Sequence, residues 1–74
     1  MQMEKTIQTR RVEAAAKYSD TKQITLAQAL GIGQSAFSRR LKRGRFFDEE
    51  MHVLAGAIGA EYKAYFEFPD GTRI

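Results

Sequence analysis

Gly31 separates two short segments of helical periodicity, and this division constrains the chain more than any other feature. In the stretch from Thr25 to Lys42, Leu26, Ala27 and Leu30 fall on one face of a first helix. Gly31 follows the last of them, where a helix end favours a residue that accepts the left-handed conformation. Ile32 stands at the corner. A second helix opens near Gly33 or Gln34 and carries Phe37 and Leu41 at i, i+4. Gln34, Ser35, Ser38 and Arg39 lie away from that apolar pair, with no acid among them. A helix that buries its back and turns short polar groups forward has the layout of a helix-turn-helix reading the major groove.

These residues resemble the phage Cro/repressor-type family, the lambda-repressor-like helix-turn-helix domains. Its pattern sets a buried Ala in the first helix, Gly four residues later, an aliphatic residue after that Gly, and an apolar residue six beyond it. Ala27, Gly31, Ile32 and Phe37 stand at those places. With flanking helices the resemblance runs from about Thr6 to Gly59. It implies a mainly α domain of about four helices, with the helix-turn-helix at about residues 25–42. Two positions depart from the pattern. Gly33 replaces the usual Ser or Thr N-cap, at a cost of about a few tenths of a kcal/mol. Arg40 stands where an aliphatic residue is common, so Leu41 must carry the packing.

The 74 residues make one small domain, 1–74, with no room for a second core. Domains of this size are marginally stable alone, and dimerisation is one remedy. The chain has no cysteine, which excludes disulfides and thiolate zinc sites. It has no apolar run of membrane-spanning length and no signal-peptide hydrophobic region at its start. The expected location is therefore the cytoplasm, as a phage-encoded protein in its host or a bacterial nucleoid-associated one.

Charge is divided along the chain. Residues 1–47 hold ten Lys/Arg against three Asp/Glu, and residues 48–74 hold two against six, or +7 and −4 within a net +3. The basic half contains the helix-turn-helix, as a footprint for phosphate would.

A first helix is expected over Met1–Tyr18, with Ile7, Ala14, Ala15 and Tyr18 on its buried side and Arg10 and Arg11 interrupting that face. Ser19-Asp20-Thr21 ends it. Lys22 to Thr25 leads into the second helix, whose unpaired N–H groups suit a phosphate. After Leu41, Lys42, Arg43, Gly44 and Arg45 form a basic turn with Gly44 capping the helix. Phe46 and Phe47 are expected to return to the core. Asp48 is the expected N-cap of a fourth helix, with Glu49 and Glu50 in its first turn. Met51, Leu54, Ala55 and Ile58 give that helix its apolar stripe, and Gly59 ends it.

The C-terminal segment, about residues 61–74, changes period. Tyr62, Ala64, Phe66 and Phe68 alternate with Lys63, Tyr65 and Glu67, which predicts a strand over Tyr62–Phe68. Pro69-Asp70-Gly71 is a turn signal, and Thr72 to Ile74 is placed to return as a second strand. The family often continues with a fifth helix here, so the hairpin is a departure. It is similar to the Cro branch, in which C-terminal strands build the dimer.

Enzymatic residues are lacking. His52 is the only histidine, with no second His or Cys for a metal and no neighbouring nucleophile. Gly31 and Gly33 do not extend to a dinucleotide-binding pattern. No catalytic activity, cofactor, metal or small-molecule substrate is expected.

The resemblance implies a sequence-specific, dimeric regulator of transcription, of phage or mobile-element type, bound to double-stranded DNA. Gln34, Ser35, Ser38 and Arg39 would meet bases, the amide suiting adenine and the guanidinium guanine. Gln23, Lys42, Arg43 and Arg45 would hold phosphates. Tyr62, Tyr65, Phe66 and Phe68 would form the dimer interface. Two other readings share the motif. One is a protein-interaction module, such as a phage inhibitor or antitoxin-like partner. The other is an excisionase-like architectural protein that bends DNA.

Overall fold

The computed structural model describes residues 6–74. Four helices, α1 (Ile7–Tyr18), α2 (Gln23–Leu30), α3 (Gln34–Arg43) and α4 (Asp48–Ala57), precede two short strands, β1 (Glu61–Tyr62) and β2 (Phe66–Glu67). The helix expected from Met1 begins, within the described residues, at Ile7. Thr6 is its N-cap, accepting the Thr9 N–H at 3.1 Å. Residues 1–5 of that expectation lie outside the described chain.

The buried side of α1 agrees with the expected one at Ala15 and differs at the other three positions. Thr9, Val12, Ala15 and Ala16 face inward, whereas Ile7 is 66% exposed, Ala14 is exposed and Tyr18 is 47% exposed. Small residues let the helix approach α3 closely enough for the buried Thr9 hydroxyl to donate to the Leu41 carbonyl at 2.7 Å. That bond satisfies a carbonyl near the end of α3 while burying a threonine without cost from an unpaired hydroxyl. A face of larger side chains would hold the backbones apart.

Gly31 ends α2 in the left-handed conformation, with φ 73°. The Ile32 N–H returns to the Ala27 carbonyl at 3.0 Å, closing the helix end and setting the turn. Ile32 packs against the core from the corner, as Leu30 does from the end of α2. Gly44 ends α3 in the same way, with φ 71°. There a Cβ would also run into the Thr6 side chain. Behind both turns lies a core containing Leu26, Phe37, Leu41, Met51, Leu54 and Ile58. Phe37 and Met51 are completely buried.

The fourth helix starts one residue earlier than its sequence suggests. Phe47, not Asp48, is the N-cap, and Asp48 is the first helical residue. Phe46 enters the core at 6% exposure, but Phe47 stays outside at 77%. The Glu50 carboxylate accepts the Phe47 N–H at 2.9 Å, one half of a capping box.

The hairpin is present with a different break. β1 and β2 pair antiparallel with Tyr62 opposite Phe66, so Lys63, Ala64 and Tyr65 form a tight turn inside the expected strand. Ala64 takes φ 66° there. The return at Pro69-Asp70-Gly71 also forms, and Phe66 and Ile74 exchange backbone bonds of 2.8 and 2.9 Å. β2 therefore has a neighbour on each side. Among the described residues no helix is long and apolar enough to cross a membrane.

Candidate nucleic-acid interface

α2 and α3 pack behind the Gly31 turn so that α3 exposes one long side. Phe37 and Leu41 face the core, while Gln34, Ser35 and Arg39 are exposed and Ser38 is half-buried beside them. Helical spacing extends this row to Lys42. Arg43 and Arg45 follow at the helix end, both exposed. Among the described residues, the side chains of Gln34, Ser35, Ser38, Arg39, Lys42, Arg43 and Arg45 make no hydrogen bond or ion pair within the chain. The row is polar, cationic and uncommitted.

Backbone electrostatics agree with the side chains. Neither α2 nor α3 has a side-chain cap or an acid in its first turn. Their positive dipole ends are therefore not neutralised from within. α4 is the opposite, with Asp48, Glu49 and Glu50 in its first turn. Gln23, the first residue of α2, is exposed at one of the uncapped ends. An anion is favoured over α2 and α3 and opposed at α4.

Arg40 is the cation of α3 that serves the fold. It pairs with Glu50 and its guanidinium lies 5.2 Å from the centre of the Phe46 ring. This accounts for an arginine at a place where an aliphatic residue was expected: its stem covers Phe46 and its charge ties α3 to α4. The Arg40 hydrogen bond is the main reason the Glu50 carboxyl titrates below its ordinary value, partly opposed by burial. Gln8 was not expected to matter. Its side chain receives the Phe46 N–H and donates to the Phe46 carbonyl, both at 3.0 Å, and so fixes the loop after α3. A glutamine on a helix carries no sequence signal for such a clamp.

The four aromatic residues expected at a dimer interface divide. Phe66 is fully buried and Phe68 is 6% exposed, both within the chain's own core. Their rings are unavailable to a second subunit, because the hairpin folds onto its own helices. Tyr18 lies against Phe68 with ring centres 4.5 Å apart. Tyr62 and Tyr65 remain half-exposed. Tyr62 packs on Phe66 and edge-on to His52, and Tyr65 lies under Arg73. His52 is thus a helix-surface residue in an aromatic contact. Among the described residues no group of three or more His, Cys, Asp or Glu side chains is placed to hold a metal ion.

No protein-family model, curated protein or solved structure matches the chain.

Proposed function

We propose that the chain is a sequence-specific, non-catalytic regulator that binds double-stranded DNA in the Cro/repressor manner, with α3 in the major groove. The observation that carries this reading is the uncommitted polar row along α3, mounted on a left-handed glycine turn and continued by unpaired cations. Gln34, Ser35, Ser38 and Arg39 read base edges, and Gln23, Lys42, Arg43 and Arg45 hold phosphates on either side. Such a protein acts in the cytoplasm, where the DNA is.

A single α3 spans only a few base pairs, so discrimination among genomic sites requires two copies on half-sites about one helical turn apart. The short open edge of β1, with Tyr62, and the adjoining turn, with Tyr65, are the surface we assign to that pairing. It lies on the acidic half of the chain.

The test is selection from a library of genomic fragments, followed by titration of the enriched site at several salt concentrations. A two-fold symmetric site bound more tightly than random duplex, with affinity falling as salt rises, is expected. Failure to enrich any sequence, or equal affinity for all duplexes, overturns the reading.

A further inference from the structure

We propose that Phe47 is an apolar wedge that enters the minor groove beside the half-site and kinks the duplex, with Arg43 and Arg45 on the flanking phosphates. The proposal rests on the DNA-binding reading above.

Phe47 breaks two local rules at once. It occupies the N-cap of α4, where Ser, Thr, Asp or Asn would accept a backbone N–H and a phenyl ring cannot. It also leaves that ring 77% exposed. Local rules broken together, with no gain to the fold, mark a position shaped by function.

The exposure does not come from a loose loop. Gln8 grips both backbone groups of Phe46, and Glu50 holds the Phe47 N–H. Beneath them the Phe46 ring is packed against Phe37, with centres 6.0 Å apart. The Phe47 ring is therefore carried on a fixed mount, as a side chain must be if it is to part stacked bases.

The surroundings select the occupant. Gln8, Arg40, Arg43, Arg45, Phe46 and Phe47 line one open cleft. Arg40 is committed to Glu50, which leaves Arg43 and Arg45 for a ligand. On its other side Phe47 borders Asp48 and Glu49. The ring thus stands at the limit of the cationic surface, where a polyanion laid along α3 and its loop would have to end or turn. The loop follows the C-terminal end of α3, opposite Gln34, so a duplex read by the N-terminal residues of α3 would meet it at the phosphate backbone that borders the next groove. Apolar side chains set among cations at such a place unstack a base step and bend the duplex.

Phe47→Thr separates function from folding, because it removes the ring and supplies the missing cap. The variant, Phe47→Trp and the unaltered protein are compared on the selected site by thermal melting, by affinity at several salt concentrations, and by energy transfer between the duplex ends. Phe47→Thr is expected to melt at a higher temperature, bind about tenfold or more weakly with an unchanged salt slope, and leave the duplex straight. Phe47→Trp is expected to retain the bend. A straight duplex under the unaltered protein, or a bend that survives Phe47→Thr, overturns the wedge while leaving the α3 reading intact. Absence of any sequence-selective binding by the unaltered protein overturns both.

Discussion

Arg40 on α3 and Glu50 on α4 form an ion pair of 2.5 Å, and the same carboxylate accepts the Phe47 N–H. One carboxylate therefore caps α4 and fastens it to the candidate DNA-reading helix. Glu50→Gln keeps an acceptor for the cap and removes the charge. Because the Arg40 hydrogen bond lowers the Glu50 pKa from 4.5, its stabilisation is fully present above that value. It is lost as pH falls through the lowered folded-state value. Both side chains are about one-quarter exposed, so the pair contributes about 1 kcal/mol or less. Melting curves from pH 7 to pH 2 should show the variant less stable at neutral pH and equal to the parent at the acid end. A constant difference across that range would assign the effect to something other than the charge.

The two left-handed glycines should differ in their tolerance of a methyl group. At Gly31 a Cβ meets nothing within 4 Å, so Gly31→Ala carries only the backbone penalty of about 1–2 kcal/mol. At Gly44 the same penalty is joined by collision with Thr6, which itself bonds the Gly44 carbonyl at 3.0 Å. Urea denaturation should rank Gly44→Ala as clearly more damaging. Equal losses would mean that Thr6 moves aside freely.

Contacts to bases and to phosphates should separate in binding experiments. Gln34→Ala and Arg39→Ala are expected to cost about 1–3 kcal/mol on the selected site and to relax preference at particular base pairs. Lys42→Ala and Arg43→Ala should weaken all sequences alike and reduce the salt slope by about one. Unchanged specificity in Arg39→Ala would require a different facing of α3.

For the hairpin, fold and assembly can be tested apart. Phe66→Ala empties a fully buried site and should cost about 3–5 kcal/mol in the monomer itself. Tyr65→Glu alters a half-exposed ring and should leave the melting temperature nearly unchanged while shifting a dimer toward monomer in sedimentation. An unaltered protein that is monomeric at high micromolar concentration and on DNA removes the hairpin as a dimer contact.

The helix-turn-helix was legible because its signals are local. Gly31, Gly44 and the spacing of Phe37 and Leu41 decide the conformation within a few residues. What sequence concealed depends on distant partners. Ala64 has none of the turn preference of Gly, Asn or Asp, yet it adopts a positive φ where Arg11 from α1 donates to its carbonyl. Asp48 has the chemistry of an N-cap, but Phe46, gripped by Gln8, sets the chain direction so that α4 starts at Asp48 itself. On α1 the expected Ala15 is buried, but Thr9 was missed because it buries a hydroxyl that only the Leu41 carbonyl makes acceptable. In the candidate site, the exposed row on α3 followed from periodicity. The diversion of Arg40 to Glu50 and the outward Phe47 did not.

The Tyr18 hydroxyl meets Asp70 and Thr72, and Arg11 reaches Ala64 across 53 positions of the chain. These contacts clasp the two flanks of the polypeptide into a ring around α2, α3 and α4. Closing a ring of that length costs more chain entropy than closing the short turn between α2 and α3 that it encloses. The clasp joins α1 to the hairpin directly, beside the bonds by which Thr9 and Gln8 tie α1 to Leu41 and Phe46. Loss of the final few residues would take Thr72 from the Tyr18 hydroxyl, so the C-terminal turn of α1 should exchange its amide protons faster in a trimmed protein.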